Sequence, residues 1–498
     1  MKKVGKYVII TLLLLLGLCC VGVLYLFFVP NSNLFNITYI NLDATHKSEK
    51  YSTDSISEIS VNSRAYNVNV VSTEEDKISL EVQSNSFGFV LTKNQTVQIS
   101  TSIKNNVLTF NVKEPYGFAT SNDSTIKLYV PRNQSFDISL SNKKALTQIN
   151  DKSLTIKNLT YSTHKGDLKL NNLTINGNLN LNLNKGECVL ASTVKTNKNN
   201  VYLKLTTGRF TSPNSVLGNI YITQNNRGVI TLGECADIEE FKPSAGGQLT
   251  AKKVSLINVD ASDTIVNINE VLHGAIINLS GGGRVNISIL NGDSRITTNS
   301  GSIVINKCLS DTTVYSDEGN ITVKEAMKSI STKTNYGNIN ITFAEDAPHY
   351  SSSEQYPSRV LHAIIHNGKL VAKGVEHIGY NNKTVTSNSE ATQGIVVTGK
   401  GRVYIQMNDV CGDNNIVGKN GNVTVIVNYS SVYKLTTNPD KPTKGSVRVN
   451  LLQISRYKGY RTKSEVTTYV NSSQSNYKNT LTVLTSTGDL TILDTKLT

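Results

Sequence analysis

The sequence predicts an all-β chain. A single N-terminal transmembrane helix comes first, then a β-sandwich-like unit, then a β-solenoid (a β-helix) of about 18-residue coils. Three observations predict this. Short runs of Val, Ile, Leu and Thr alternate with polar residues between Gly, Asn and Asp, the pattern of half-buried strands. Gly283, Gly301, Gly319 and Gly337 recur at intervals of 18 residues, each opening a similar alternation. One long uncharged apolar run, Tyr7 to Val29, follows Lys2, Lys3 and Lys6.

The apolar run would extend roughly 35 Å as a helix, enough for a tilted crossing. It is longer than a signal-peptide core, and Leu26-Phe-Phe-Val-Pro30 offers no small-residue cleavage site. The expectation is an uncleaved signal anchor over residues 7–29 in contact with the lipid bilayer. Residues 1–6 would form a cytoplasmic tail, because the lysines precede the run and no basic cluster follows it. The remainder would lie at the cell surface or in a secretory lumen. Residues 30–55 are polar and weakly patterned and are expected as a stalk.

Residues 56–135 carry strand patterns such as Tyr66-Asn-Val-Asn-Val-Val, Leu108-Thr-Phe-Asn-Val and Ile126-Lys-Leu-Tyr-Val-Pro131. From 136 to 343 the pattern becomes glycine followed by alternation, as in Gly166-Asp-Leu-Lys-Leu, Gly218-Asn-Ile-Tyr-Ile and Gly319-Asn-Ile-Thr-Val. One such strand cannot bury its apolar face alone, whereas stacked copies can. Eighteen residues suit two strands and two turns, with glycine at the turn for a positive φ or a close backbone approach. Residues 344–393 break the pattern and are expected as an irregular insertion with a hairpin at Asn367-Gly368. Alternation resumes in 394–498, a C-terminal β-repeat region.

The strands that close in Ile126-Lys-Leu-Tyr-Val-Pro131, with Phe136-Asp-Ile-Ser-Leu and the repeated Gly-Asp/Asn-Ile/Leu-x-Ile/Leu units after them, resemble the putative-adhesin β-strand repeat family of unknown function. The resemblance covers about residues 57–343. It implies a surface-exposed β-solenoid with an adhesive role and supplies no catalytic residues.

The residues themselves point to no chemistry. The net charge of +13 comes mostly from scattered lysines, with no arginine stripe interleaved with aromatics, so no specific nucleic-acid partner is expected. His349, His362, His366 and His377 cluster in the irregular stretch, near Glu354 and Glu376, but match no zinc spacing. A polysaccharide-active β-helix enzyme needs carboxylates sharing a face. The adjacent pairs Glu239-Glu240 and Asp317-Glu318 would point opposite ways on a strand, and Asp167, Asp293 and Asp489 sit at turns where Asp is favoured anyway. Cys188, Cys235, Cys308 and Cys411 admit bridges or buried thiols equally. Sequons at Asn286, Asn320, Asn340 and Asn422 fall on polar strand positions and are candidate glycosylation sites.

The reading is a non-catalytic, adhesin-like binding or structural protein, with an unknown protein or glycan ligand and no cofactor or metal. A tethered polysaccharide-active enzyme and a binder of anionic polymers are the alternatives.

Overall fold

The computed structural model describes residues 11–22, 38–90, 96–114, 117–241, 246–351, 358–379, 394–438, 446–452, 466–470 and 478–496. Among these the chain is nearly all β and divides into two compact units, Met1–Thr174 and Ile175–Thr498.

The transmembrane helix expected over residues 7–29 is not found. The helix covers residues 11–22, about 18 Å at 1.5 Å per residue, against a hydrocarbon core of about 30 Å. Among the described residues, no helix is long and apolar enough to cross a membrane. Residues 7–10 and 23–29 lie outside the described residues. The described helical segment is too short for that span. Apolar composition marks which residues would tolerate lipid, but crossing needs a helix of about 20 residues.

The first unit is not a sandwich. Glu58–Ser63 pairs in parallel with Val107–Lys113 on one side and Phe136–Asn142 on the other. Asn67–Thr73 likewise lies between Thr125–Pro131 and Thr147–Asn150, again in parallel. Each coil therefore gives one strand to each of two ladders. Their alternate residues, including Ile59, Val61, Leu108, Phe110, Ile126 and Leu128, are fully buried. Alternation alone cannot separate sandwich from solenoid, because both bury every second side chain. The coil 107–131 packs outside the coil 58–73 although it follows it in sequence. Antiparallel strands cover its outer side: Lys77–Val90 pairs with Thr125–Pro131, and Thr38–Lys47, expected as stalk, pairs with Lys77–Val90.

In the second unit the 18-residue period is the register of the ladders. Arg284–Leu290, Ser302–Cys308, Ile321–Ala326 and Asn338–Phe343 pair successively in parallel, so that Val285, Ile303, Ile321 and Ile339 fall in one column. Ser294–Thr298, Thr312–Ser316 and Ile330–Thr334 form the second ladder in the same way. The expected hairpin at Asn367-Gly368 is a coil turn instead. Val360–Ile365 pairs in parallel with Ile330–Thr334, and Lys369–Val375 with Asn338–Phe343. At the far end, Thr480–Thr485 inserts between Asp413–Gly418 and Tyr433–Thr437, and Leu490–Asp494 between Asn422–Val427 and Val447–Asn450.

Close approach, rather than a left-handed backbone, sets the glycine column. A Cβ added at Gly301, Gly319, Gly337 or Gly368 would collide with the carbonyl oxygen of the glycine one coil earlier, and none of these has a positive φ. A buried hydroxyl three residues upstream closes several of these turns. Ser316 Oγ accepts the Gly319 amide at 2.9 Å, and Thr334 Oγ1 accepts the Gly337 amide at 2.9 Å. The same arrangement occurs in the first unit, where Thr163 Oγ1 accepts the Gly166 amide at 2.6 Å.

Candidate functional site

Side chains on the outer face of the second ladder and at the turn that follows it line an open cleft of about 340 Å³. Strand pairing stacks Asn278, Thr297, Tyr315 and Lys333 in one outward column. Two residues further along each strand, the turn adds Ser280, Asn299, Asp317 and Asn335. Each of four successive coils thus presents a polar pair to the cleft. Alternation dictates this: the residues between the pairs, such as Leu279, Thr298 and Ser316, are buried.

Hydrogen bonds hold the two columns. Asn278 Nδ2 donates to Asp260 Oδ1 at 2.9 Å, and Asn335 Nδ2 donates to Asp317 Oδ1. The turn backbone is laddered too: the Asn299 amide reaches the Leu279 carbonyl at 2.9 Å, and the Glu318 amide reaches the Asn299 carbonyl at 2.8 Å. Tyr315 is half-buried in the column and Lys333 is exposed. Among the lining residues the charged groups are Asp317 and Lys333, one of each sign.

The histidines do not converge. His349 Nδ1 contacts Glu376 Oε1 at 2.7 Å, His362 Nδ1 contacts Ser331 Oγ at 3.1 Å, His366 Nδ1 contacts Thr398 Oγ1 at 2.8 Å, and His377 Nδ1 contacts the Cys411 carbonyl at 2.8 Å. Among the described residues no group of three His, Cys, Asp or Glu side chains could hold a metal ion. Glu354 lies outside the described residues. Glu376 is tied into the packing of this stretch. Its carboxylate is buried, lies 3.4 Å from Arg359 Nε and accepts the Tyr350 amide at 2.8 Å. Arg359 is itself buried and also donates to the Glu345 and Ala347 carbonyls. Burial holds the imidazoles of His362 and His377 below the usual histidine range.

The carboxylates are scattered. Glu239 accepts from Asn219 Nδ2 at 2.8 Å, Asp317 lines the cleft, and its neighbour Glu318 is exposed beside it. Asp489 Oδ1 accepts both the amide and the hydroxyl of Ser446 at 2.8 Å, and these bonds hold its carboxyl below the usual range. The Asp167 carbonyl accepts the Tyr161 hydroxyl at 3.1 Å. Asp293 occupies the turn next to Gly274 and Gly292. All four cysteines beyond the N-terminal run are free thiols; Cys188, Cys235 and Cys308 are buried, and Cys411 is half-buried. Burial pushes the Cys308 thiol up to about 11 and those of Cys235 and Cys411 up to about 12.

The sequon asparagines all point outward from strands or their ends. Asn340 is exposed. Asn320 and Asn422 are also exposed; Asn320 Oδ1 accepts the Asn338 amide at 2.9 Å, and Asn422 Oδ1 accepts the Asp489 amide at 3.0 Å. Asn286 differs, because its Nδ2 donates to Asn267 Oδ1 at 2.7 Å in a part-buried ladder.

Sequence reasoning missed the cleft. Its one legible trace was the polar position shared by Thr297, Tyr315 and Lys333 at the coil interval.

Residues 56–226 match the family model Toastrack DUF4097, less than half of the chain. The Gly283–Gly337 repeats lie outside that match. No curated protein matches the sequence. Among solved structures, a putative cell adhesion protein from Clostridium sporogenes is 11% identical, with a TM-score of 0.21, covering 48% of this chain and 100% of its own. A putative adhesin from Bacteroides fragilis is 15% identical, with a TM-score of 0.18, covering 60% and 98%. A putative adhesin from Parabacteroides merdae is 14% identical, with a TM-score of 0.19, covering 63% and 98%. Scores of this size do not establish a shared fold.

Proposed function

We propose that this chain is an adhesin-like, non-catalytic binding protein that holds a protein or glycan ligand on the outer surface of its stacked coils. The observation that carries the reading is the cleft: a recess of about 340 Å³ with a polar pair from each of four coils. Such a surface binds by many matched hydrogen bonds on a rigid frame, where little ordering cost is incurred on association. Glycoside hydrolysis needs two carboxyl groups roughly 5–10 Å apart across a bond. The lining residues bring one carboxylate, Asp317, and its Oδ1 is occupied by Asn335. This favours binding over turnover.

Exposure of the protein outside the cytoplasm is part of the proposal, and Asn320, Asn340 and Asn422 would be its accessible sequon positions. Two measurements test it. Labelling of intact cells with a membrane-impermeant amine reagent should modify lysines of the β-units, such as Lys333; labelling absent from them would remove the surface role. Cells displaying Tyr315→Ala protein should adhere less than those displaying the unaltered protein. Equal adhesion would discard the cleft as the binding surface.

A further inference from the structure

We propose that the cleft takes an unbranched, uncharged glycan chain laid along the stacking direction, with one sugar to each coil. The inference rests on the binding role proposed above and names its ligand class. The first argument is repeat length. Neighbouring strands lie roughly 4.8 Å apart, close to the length of one pyranose unit in an extended chain, so a glycan and the ladder can stay in step over four coils. The second is hydrogen-bond chemistry. A sugar hydroxyl donates and accepts at once, and amides such as Asn299 and hydroxyls such as Thr297 offer both functions along the cleft. The third is Tyr315. Its ring stands part-way along the column, an amphipathic surface for the C–H face of a sugar.

Charge and backbone pairing narrow the class. Lys333 and Asp317 oppose each other in sign, so the lining has no excess cation to draw a polyanion. An extended peptide would be captured by adding to a free sheet edge. Here Thr312–Ser316 is already paired on both sides, with Ser294–Thr298 and Ile330–Thr334.

The test is calorimetric titration of the full chain with cello-, manno- and xylo-oligosaccharides of increasing length, alongside heparin and hyaluronate. One neutral series should bind, tighten with length up to about four sugars, one per polar coil of the cleft, and then level off. Binding should change little with salt. Tyr315→Ala should weaken it up to about tenfold, whereas Tyr404→Ala should leave it unchanged, since Tyr404 lies in Arg402–Met407, which extends the other ladder by pairing with Lys369–Val375. Binding by none of the neutral series overturns the inference. If heparin or hyaluronate binds instead, with a steep salt dependence and sensitivity to Tyr315→Ala, the ligand class is wrong while the cleft's binding role stands. If no glycan binds and displayed Tyr315→Ala protein adheres normally, both fail.

Discussion

Ser316 Oγ accepts the Gly319 amide at 2.9 Å and donates to the carbonyl of Gly301, one coil earlier, at 3.2 Å. A single buried hydroxyl thus closes its own turn and ties it to the preceding one. Ser316→Ala leaves a buried amide without its partner, which costs about 1–3 kcal/mol. The expected outcome, read by chemical denaturation, is a lower unfolding midpoint with unchanged circular dichroism in the folded state.

Gly319→Ala should also destabilise, through a different cause. Its new methyl would collide with the Gly301 carbonyl oxygen, which belongs to the ladder backbone and cannot swing away. The expected loss is about 1–3 kcal/mol, as for overpacked sites. Gly282→Ala is the control. There the nearest atom to an added Cβ is Ser300 Oγ at 3.5 Å, an ordinary contact, and the melting temperature should stay where it is.

These glycines also show how far the sequence could be read. The 18-residue spacing revealed coil length and register because each glycine must fit under the previous one. The same logic was hidden at Gly368, whose neighbour Asn367 mimics a hairpin turn; the chemistry that favours a tight reversal also favours a coil corner. The order of coils was not legible either. Nothing local in 107–131 says that it pairs outside 58–73, because both present the same alternation. The cleft left only a faint trace, since Tyr315 at an outward strand position looks like any solvated residue until its neighbours are stacked beside it.

Acid should weaken the first unit through Asp151. Partial burial raises its pKa, but hydrogen bonds from the Ser72 amide and hydroxyl at 2.7 Å, and from the Ser153 amide at 2.9 Å, outweigh this and hold its carboxyl below the usual aspartate range. A carboxyl with a depressed folded pKa contributes stability that is fully present above its unfolded value and is lost as pH falls through the folded one. Asp151→Asn should therefore flatten the acid limb of stability below about pH 4, measured by denaturation from neutral to acid pH. An unchanged acid limb would show that Asp151 is not the titrating group.

Thiol accessibility follows from burial. In the native protein, a thiol reagent at mildly alkaline pH should label the exposed Cys19 and Cys20 rapidly and Cys411 slowly. The buried Cys188, Cys235 and Cys308 should resist until denaturant is added. Mobility on a denaturing gel should not depend on reductant. A reductant-dependent shift within the monomer band would mean that two of these cysteines are bridged.

The coil itself is tested most directly by deletion. Removing Ser302–Gly319 takes out one full period and joins Gly301 to Asn320, so Ile321 should slide into the column vacated by Ile303. Removing Ser302–Ser310 takes out half a coil and forces Thr312–Ser316 into the wrong ladder. The stacked-coil account predicts that the full-period deletion still unfolds cooperatively by thermal circular dichroism, with strand content near that of the intact chain, while the half-coil deletion loses its transition. Equal behaviour of the two deletions, or collapse of the full-period one alone, would contradict it.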